Sequence, residues 1–319
     1  MISESRFSPP WYLRNPHLQT LLANLVHPPF PTVTYETIDL PDGDSLDLAW
    51  GQARGSSVIL ILHGLEGSLR SAYAQRLMNE LNRRDIPGAF MFFRGCNGRP
   101  NRLLESYHSG KTDDLRFIIR QLQARGIERI AVVGYSLGGN VTLKYLGESG
   151  ASAGLCGAVA ISVPMLLAEC AERMNRGFSR LYQWELLNRL KRKIAQKSSI
   201  LESSGLSSLT DHIGNFEQFD DAFTAPAHGF ESAQDYYRQC SSRQFLKYIR
   251  TPTLILHSRD DPFMTSTVIP TPAELSDDIQ LELSDHGGHV GFLGSGPLLP
   301  RPWLEDRVLE FLTPLLART

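Results

Sequence analysis

One stretch constrains this chain more than any other: Arg129-Ile-Ala-Val-Val-Gly-Tyr-Ser-Leu-Gly-Gly-Asn-Val-Thr-Leu143. Ile130 to Val133 is a β-branched run of the kind that forms a strand buried on both faces of a parallel sheet. It ends in Gly134-Tyr135-Ser136-Leu137-Gly138, a G-x-S-x-G pattern, and helix formers and small residues follow from Asn140 to Gly147. A strand that turns at once into a helix holds its central residue on a tight bend. Glycines flank that bend because a Cβ would strike neighbouring backbone. The bend lifts the Ser136 hydroxyl above the sheet, at a helix N-terminus whose free N–H groups favour developing negative charge.

The rest of the chain supplies the context such a serine needs. Thr32 to Leu40 and Ser45 to Trp50 alternate in polarity about the turn Pro41-Asp-Gly-Asp44 and read as a hairpin at a sheet edge. Ser57 to Leu62, Gly88 to Phe93, Ala158 to Val163, Thr253 to His257 and Ile279 to Leu283 read as further strands. Helical periodicity lies between them, at Arg70 to Arg83 and from Thr112 through Leu122, and a last helix spans Leu304 to Leu312. Strands alternating with helices imply an α/β architecture with a mostly parallel sheet covered on both faces. From Pro164 to about Tyr248 the strands vanish and helical, charged segments take over. The expectation is one domain over residues 1–319, with 164–248 inserted as a helical cap above the carboxyl ends of the strands. Residues 5–32, rich in Pro and aromatics, read as an extended arm leading into a short helix that carries His17, a packing or capping residue.

Acyl transfer to serine requires a base, an acid that orients it, and N–H donors for the oxyanion, in the chain order Ser, acid, His for a sheet of this kind. The acid falls in His257-Ser-Arg-Asp-Asp-Pro-Phe263, where Asp260 and Asp261 compete and Asp261 is favoured. The base falls in Asp285-His-Gly-Gly-His-Val-Gly-Phe292. There His289 is favoured over His286, because it follows the glycine pair and leads into Val290 and Phe292. The oxyanion donors expected are the N–H of Leu137, after the serine, and that of Leu65 in the loop His63-Gly64-Leu65. His63 itself reads as structural. His286 and His289 also fit a His-x-x-His metal spacing, but no further Cys or His cluster supports it, so no metal is expected. His108 and Asp113 match an H-x4-D spacing, with Asp113 and Asp114 reading as first-turn helix acids. Trp184, Leu187, Leu190 and Ile194, interleaved with Lys191, Arg192 and Lys193, form a basic amphipathic stretch suited to cap packing or to peripheral contact with an anionic membrane.

Composition narrows the partners. A net charge of -2 over 319 residues gives no electrostatic case for nucleic acid. Cys96, Cys156, Cys170 and Cys240 are scattered without a pairing motif, as in a chain with reduced thiols. Met1 to Phe7 lacks the apolar core of a signal peptide, and no apolar run approaches the ~20 residues of a membrane span. A cytoplasmic protein is the expectation.

With these pieces in place the chain resembles the α/β-hydrolase superfamily and, more narrowly, the bacterial YheT-like hydrolases, relatives of eukaryotic membrane-associated esterases and phospholipases. The blocks that carry the resemblance are Pro9 to Thr20, His63 to Ser68, Arg94 to Gly98, Tyr107 to Gly110 with Thr112 to Leu115, Gly134 to Asn140, Asp260 to Pro262 and Gly287 to Phe292. The resemblance implies a serine carboxylic-ester hydrolase with Ser136, Asp261 and His289 as its triad and no cofactor. It implies short- or medium-chain acyl esters or lipids as substrates. Acyl transfer to an alcohol is the first alternative, and a non-catalytic binding or membrane-docking protein of the same fold is the second.

Overall fold

The computed structural model describes residues 1–206, 212–294 and 301–317. Its strands are β1 (Ile2–Glu4), β2 (Thr34–Asp39), β3 (Ser45–Trp50), β4 (Ser57–Leu62), β5 (Gly88–Met91), β6 (Arg129–Tyr135), β7 (Gly157–Ile161), β8 (Thr253–Ser258) and β9 (Ile279–Ser284). They form one sheet in the order β1-β9-β8-β7-β6-β4-β5-β3-β2. Every neighbouring pair is parallel except those that include β3, which runs antiparallel to both β2 and β5. A short pair, β10 (Leu293–Gly294) with β11 (Arg301–Pro302), lies apart from it.

The central strands are apolar on both faces because both faces are covered. Along β4, Val58, Leu60 and Leu62 enter one core with Leu115, Ile118, Ile119 and Leu122. Ile59 and Ile61 enter the other with Leu77, Leu81, Val308 and Leu312. Those partners come from α2 (Ala72–Arg83), α3 (Asp113–Ala124) and the C-terminal helix Leu304–Ala317. That helix runs past Leu312 through Pro314, its last turn fixed by buried Leu315, whose carbonyl accepts from the Arg129 guanidinium at 2.8 and 2.6 Å. α4 (Leu137–Ser149) begins directly after Ser136.

Some features depart from the sequence reading. β1 is a strand: it adds to the sheet edge in parallel with β9, Ile2 facing Leu281. Three residues carry no periodicity, and their partner is far away in sequence. Strand β5 also stops at Met91, two residues early.

Residues 164–248 leave the end of β7 and return at the start of β8, the adjacent strand. Their helices are α5 (Leu167–Arg173), α6 (Ser179–Ala195), α7 (Ser198–Ser203), α8 (Phe216–Phe219), α9 (Ala225–His228) and α10 (Ala233–Cys240). They bury small apolar clusters of their own, one around Leu187, Leu190, Ile194 and Phe223 and one around Leu167, Ala233 and Tyr236. Among the described residues no helix is long and apolar enough to cross a membrane.

Candidate active site

Ser136 sits between β6 and α4 at φ 51° and ψ -116°, a conformation that strains any residue with a Cβ. Its neighbours explain how the bend closes. A Cβ on Gly134 would lie 2.4 Å from the Gly138 carbonyl oxygen, and one on Gly138 would lie 2.6 Å from that of His63. Both positions accept glycine alone, and the result presents Oγ at the sheet's carboxyl edge.

His289 Nε2 lies 3.0 Å from Ser136 Oγ, and its Nδ1 lies 2.8 Å from Asp261 Oδ2. Asp261 follows β8 and is buried; its Oδ1 accepts from the Phe263 N–H at 2.9 Å. The Phe263 ring stacks on the imidazole with centroids 4.0 Å apart and planes 8° from parallel, so the histidine is held in plane as well as at both ends. Asp260 faces the other way. It accepts from the Ser258 hydroxyl and from the Gly288 N–H, and its Oδ2 lies 3.3 Å from His286 Nδ1. The two His–Asp pairs are therefore separate, and His286 and His289 do not converge on one metal position. Among the described residues no group of three His, Cys, Asp or Glu does.

The Leu137 N–H is the first of α4, where no intrahelical acceptor exists. The loop His63–Ser68 passes close by: a Cβ on Gly64 would lie 3.3 Å from Ser136 Cβ. Within that loop the Gly64 N–H donates to Tyr73, that of Glu66 to Tyr107 and that of Gly67 to the Gly64 carbonyl. Among the described residues no group accepts from the Leu65 N–H. His63 is fully buried, its Nδ1 bonded to the Gly64 carbonyl at 2.7 Å and its Nε2 accepting from the Phe93 N–H at 3.1 Å. Burial pushes its pKa down to about 3, so the ring is a neutral strut under the loop.

Several residues that hold the histidine were not singled out from sequence. The Thr20 hydroxyl accepts from the His289 N–H, and Ser162 Oγ accepts from the Val290 N–H at 3.0 Å. Gln19 clamps Leu293, accepting from its N–H at 2.8 Å and donating to its carbonyl at 3.0 Å. Thr20 and Gln19 belong to α1 (Pro16–Leu25), which Asn15 caps. The only signal for them was the block Pro9 to Thr20. His17 packs on Phe178 and Tyr182 of the insertion.

Ser136 and His289 open into a cavity of about 160 Å³ between the sheet edge and the insertion. Its wall is mainly apolar, with Leu167, Met174, Leu190, Ile194, Phe219 and Phe223 from the insertion. A second depression, flanked by Leu21, Tyr182, Leu186 and Arg189, reaches the same two residues from between α1 and α6. His108 lines the cavity as a buried ring that meets His228 edge-on, with Nδ1 accepting from the Gly110 N–H, while Asp113 stands exposed at the start of α3. Asp114 is buried against Arg94. Of the basic run Lys191 to Lys193 on α6, Lys191 donates to the Ile213 carbonyl, Lys193 is largely enclosed in an ion pair and Arg192 is exposed. The outward apolar residues there are Leu181 and Trp184, 52% and 60% exposed. All four cysteines are free thiols.

The α/β-hydrolase fold family matches residues 57–295. This chain belongs to that family. A protein of Escherichia coli (strain K12), YheT, provisionally designated an esterase, is 42% identical to this hydrolase over 98% of this chain and 95% of its own. The monoacylglycerol lipase of Saccharomyces cerevisiae is 30% identical over 80% of this chain, which spans 58% of the yeast protein. The Pyrococcus furiosus esterase Pf2001 superposes with a TM-score of 0.58 over 99% of this hydrolase and all of the archaeal chain; at 17% identity that likeness concerns the fold.

Proposed function

We propose that this hydrolase cleaves carboxylic esters through an acyl-enzyme on Ser136. The observation that carries the reading is the unbroken line of hydrogen bonds from Ser136 Oγ through His289 to buried Asp261, at the wall of an apolar cavity. His289 Nε2 takes the Ser136 proton as Oγ attacks the acyl carbonyl carbon. Asp261 accepts from Nδ1–H, fixing the tautomer and stabilising the imidazolium. The N–H groups of Leu65 and Leu137 receive the oxyanion. Collapse expels the alcohol, which takes the proton from His289, and water activated by the same imidazole then releases the acid.

Residues 164–248 act in this reading as a cap whose inner face holds the acyl chain. An engineered cavity of about 150 Å³ holds a benzene ring, so this one suits a chain of roughly six carbons. The test is hydrolysis of p-nitrophenyl esters from acetate to palmitate, with fluorophosphonate labelling and Ser136→Ala alongside. Activity peaking at medium length, with activity and labelling both lost in Ser136→Ala, is the expected result. A folded protein that neither hydrolyses any ester nor labels at Ser136 would sink the reading. Product analysis with added ethanol separates hydrolysis from acyl transfer.

A further inference from the structure

Glu66 follows the proposed oxyanion donor Leu65 and has φ 52°, a left-handed conformation that costs a glutamate on the order of 1 kcal/mol. Something must hold it there. The Tyr107 hydroxyl accepts from the Glu66 N–H at 2.8 Å and donates back to Glu66 Oε1 at 2.6 Å. Tyr107 is itself fixed, stacked on Phe93 with planes 6° from parallel. The same carboxylate oxygen accepts from Lys193 Nζ at 2.6 Å. Lys193 stands on α6 in the insertion, 127 residues away in sequence, and its side chain and that of Glu66 are 13% and 9% exposed. Its ammonium also lies 4.7 Å over the Tyr107 ring and 2.9 Å from Cys96 Sγ. Burial raises the Cys96 pKa to about 11, which keeps it a neutral thiol and leaves Glu66 as the counter-charge.

The helix that carries Lys193 also lines the cavity with Leu186, Leu190 and Ile194. One element therefore both lines the cavity and touches the loop that would receive the oxyanion. We propose that Lys193 is a positioning residue: through Glu66 it ties the insertion to the His63–Ser68 loop, so the Leu65 N–H is aimed correctly only when the insertion is seated. This rests on the ester-hydrolase reading above. Without the ammonium, a carboxylate buried beside a single hydroxyl turns toward water and draws the Glu66 and Leu65 backbone with it.

A plain structural staple would lower stability and leave the balance between substrate and transition state alone. The decisive variants are Lys193→Met and Lys193→Arg, with Glu66→Gln/Lys193→Met as a form lacking any unpaired buried charge should the first not fold. Steady-state kinetics on p-nitrophenyl hexanoate would be paired with inhibition by a hexyl trifluoromethyl ketone, whose Ser136 adduct carries an oxyanion, and by the matching alcohol, whose complex carries none. Loss of an entire oxyanion donor costs about 10²–10³ in kcat, so misaiming one predicts a fall of about 10–100-fold in Lys193→Met, with KM within about threefold. Ketone affinity should fall in parallel while alcohol affinity holds, and Lys193→Arg should recover part of both. The double variant should fold like wild type and remain slow. Wild-type kcat in a folded Lys193→Met or double variant, or a loss confined to KM, overturns the tie while leaving the hydrolase reading intact. Failure of the wild-type protein to label at Ser136 removes that reading itself.

Discussion

The Thr20 hydroxyl accepts the backbone N–H of His289 at 2.9 Å, across 269 residues of sequence. Thr20 Oγ1 donates its own proton to the Pro16 carbonyl at 2.8 Å, so its lone pair is left for His289. The contact is tight: a Cβ on Gly288 would lie 2.7 Å from the same oxygen. Thr20→Val keeps the shape and removes the acceptor, orphaning a buried N–H at a cost of about 1–3 kcal/mol. Part of that cost should appear as imidazole misplacement. The expected result is a kcat lowered about tenfold with KM little changed, and recovery in Thr20→Ser. Unchanged kcat in Thr20→Val would mean that Ser162 and Phe263 suffice to hold the ring.

Adjacent aspartates should differ sharply in effect. Asp261→Asn would present an amide to His289 Nδ1 and favour the wrong tautomer, a change worth about 10⁴ in kcat in serine proteases. A loss of roughly that size is expected here. Asp260→Asn keeps an oxygen for the Gly288 N–H and the Ser258 hydroxyl, and kcat should stay within about threefold. Comparable losses in both variants would reassign the acid's role to the pair.

What could be read from sequence was what is local. The Ser136 bend lies within one strand–turn–helix, and the strands flanking it are continuous apolar runs, so Ser57–Leu62 reads correctly to the residue. The braces were not legible because each joins distant segments through one polar atom. Thr20 reaches His289, Ser162 reaches Val290 over 128 residues, and the Met1 amine reaches the Ile279 carbonyl over 278. Lys193 shows the same limit. The amphipathic pattern around it fitted cap packing or membrane contact and named no partner for the ammonium, which helix geometry turns inward to Glu66. Asp114 likewise read as a first-turn helix acid, with nothing nearby in sequence to name its partner.

That partner is Arg94, whose Nε and Nη2 grip Asp114 at 2.8 and 2.7 Å, with both side chains 3% exposed. The pair bonds the loop after β5 to the start of α3. Arg94→Met strands a carboxylate in the interior, and removing one partner of a buried pair costs about 3–5 kcal/mol. Urea unfolding should show that loss. Arg94→Lys should recover little, since an ammonium lacks the two-pronged geometry. Arg94 Nη1 also bonds Asp42 Oδ2 at 2.6 Å and lies 3.6 Å from buried Asp44, so Arg94→Met/Asp114→Leu, which removes the Asp114 charge but leaves those two carboxylates, should regain only part of the stability. A double variant as unstable as the single one would place the energy in the Asp42 and Asp44 contacts and the packing of the arginine stem, not in Asp114.

Asp220 gives a pH dependence whose sign is fixed by its surroundings. It lines the cavity and accepts from Thr224 Oγ1 at 2.6 Å and Tyr237 Oη at 2.7 Å. Burial outweighs those two hydrogen bonds and lifts its pKa to about 6. The folded state therefore holds this proton more tightly than the unfolded chain does. Below the unfolded carboxylate range, near pH 4, both states are protonated and Asp220 costs nothing. As pH rises from about 4 to 6 the unfolded chain ionises first, and stability falls. Above about 6 both states are ionised and the penalty is constant, on the order of 3 kcal/mol at most. Asp220→Asn removes the titration, so its stability relative to wild type should climb between about pH 4 and 6 and level off beyond. Urea unfolding across that range reads the difference directly. A constant difference would show that the group ionises as easily in the cavity as in water.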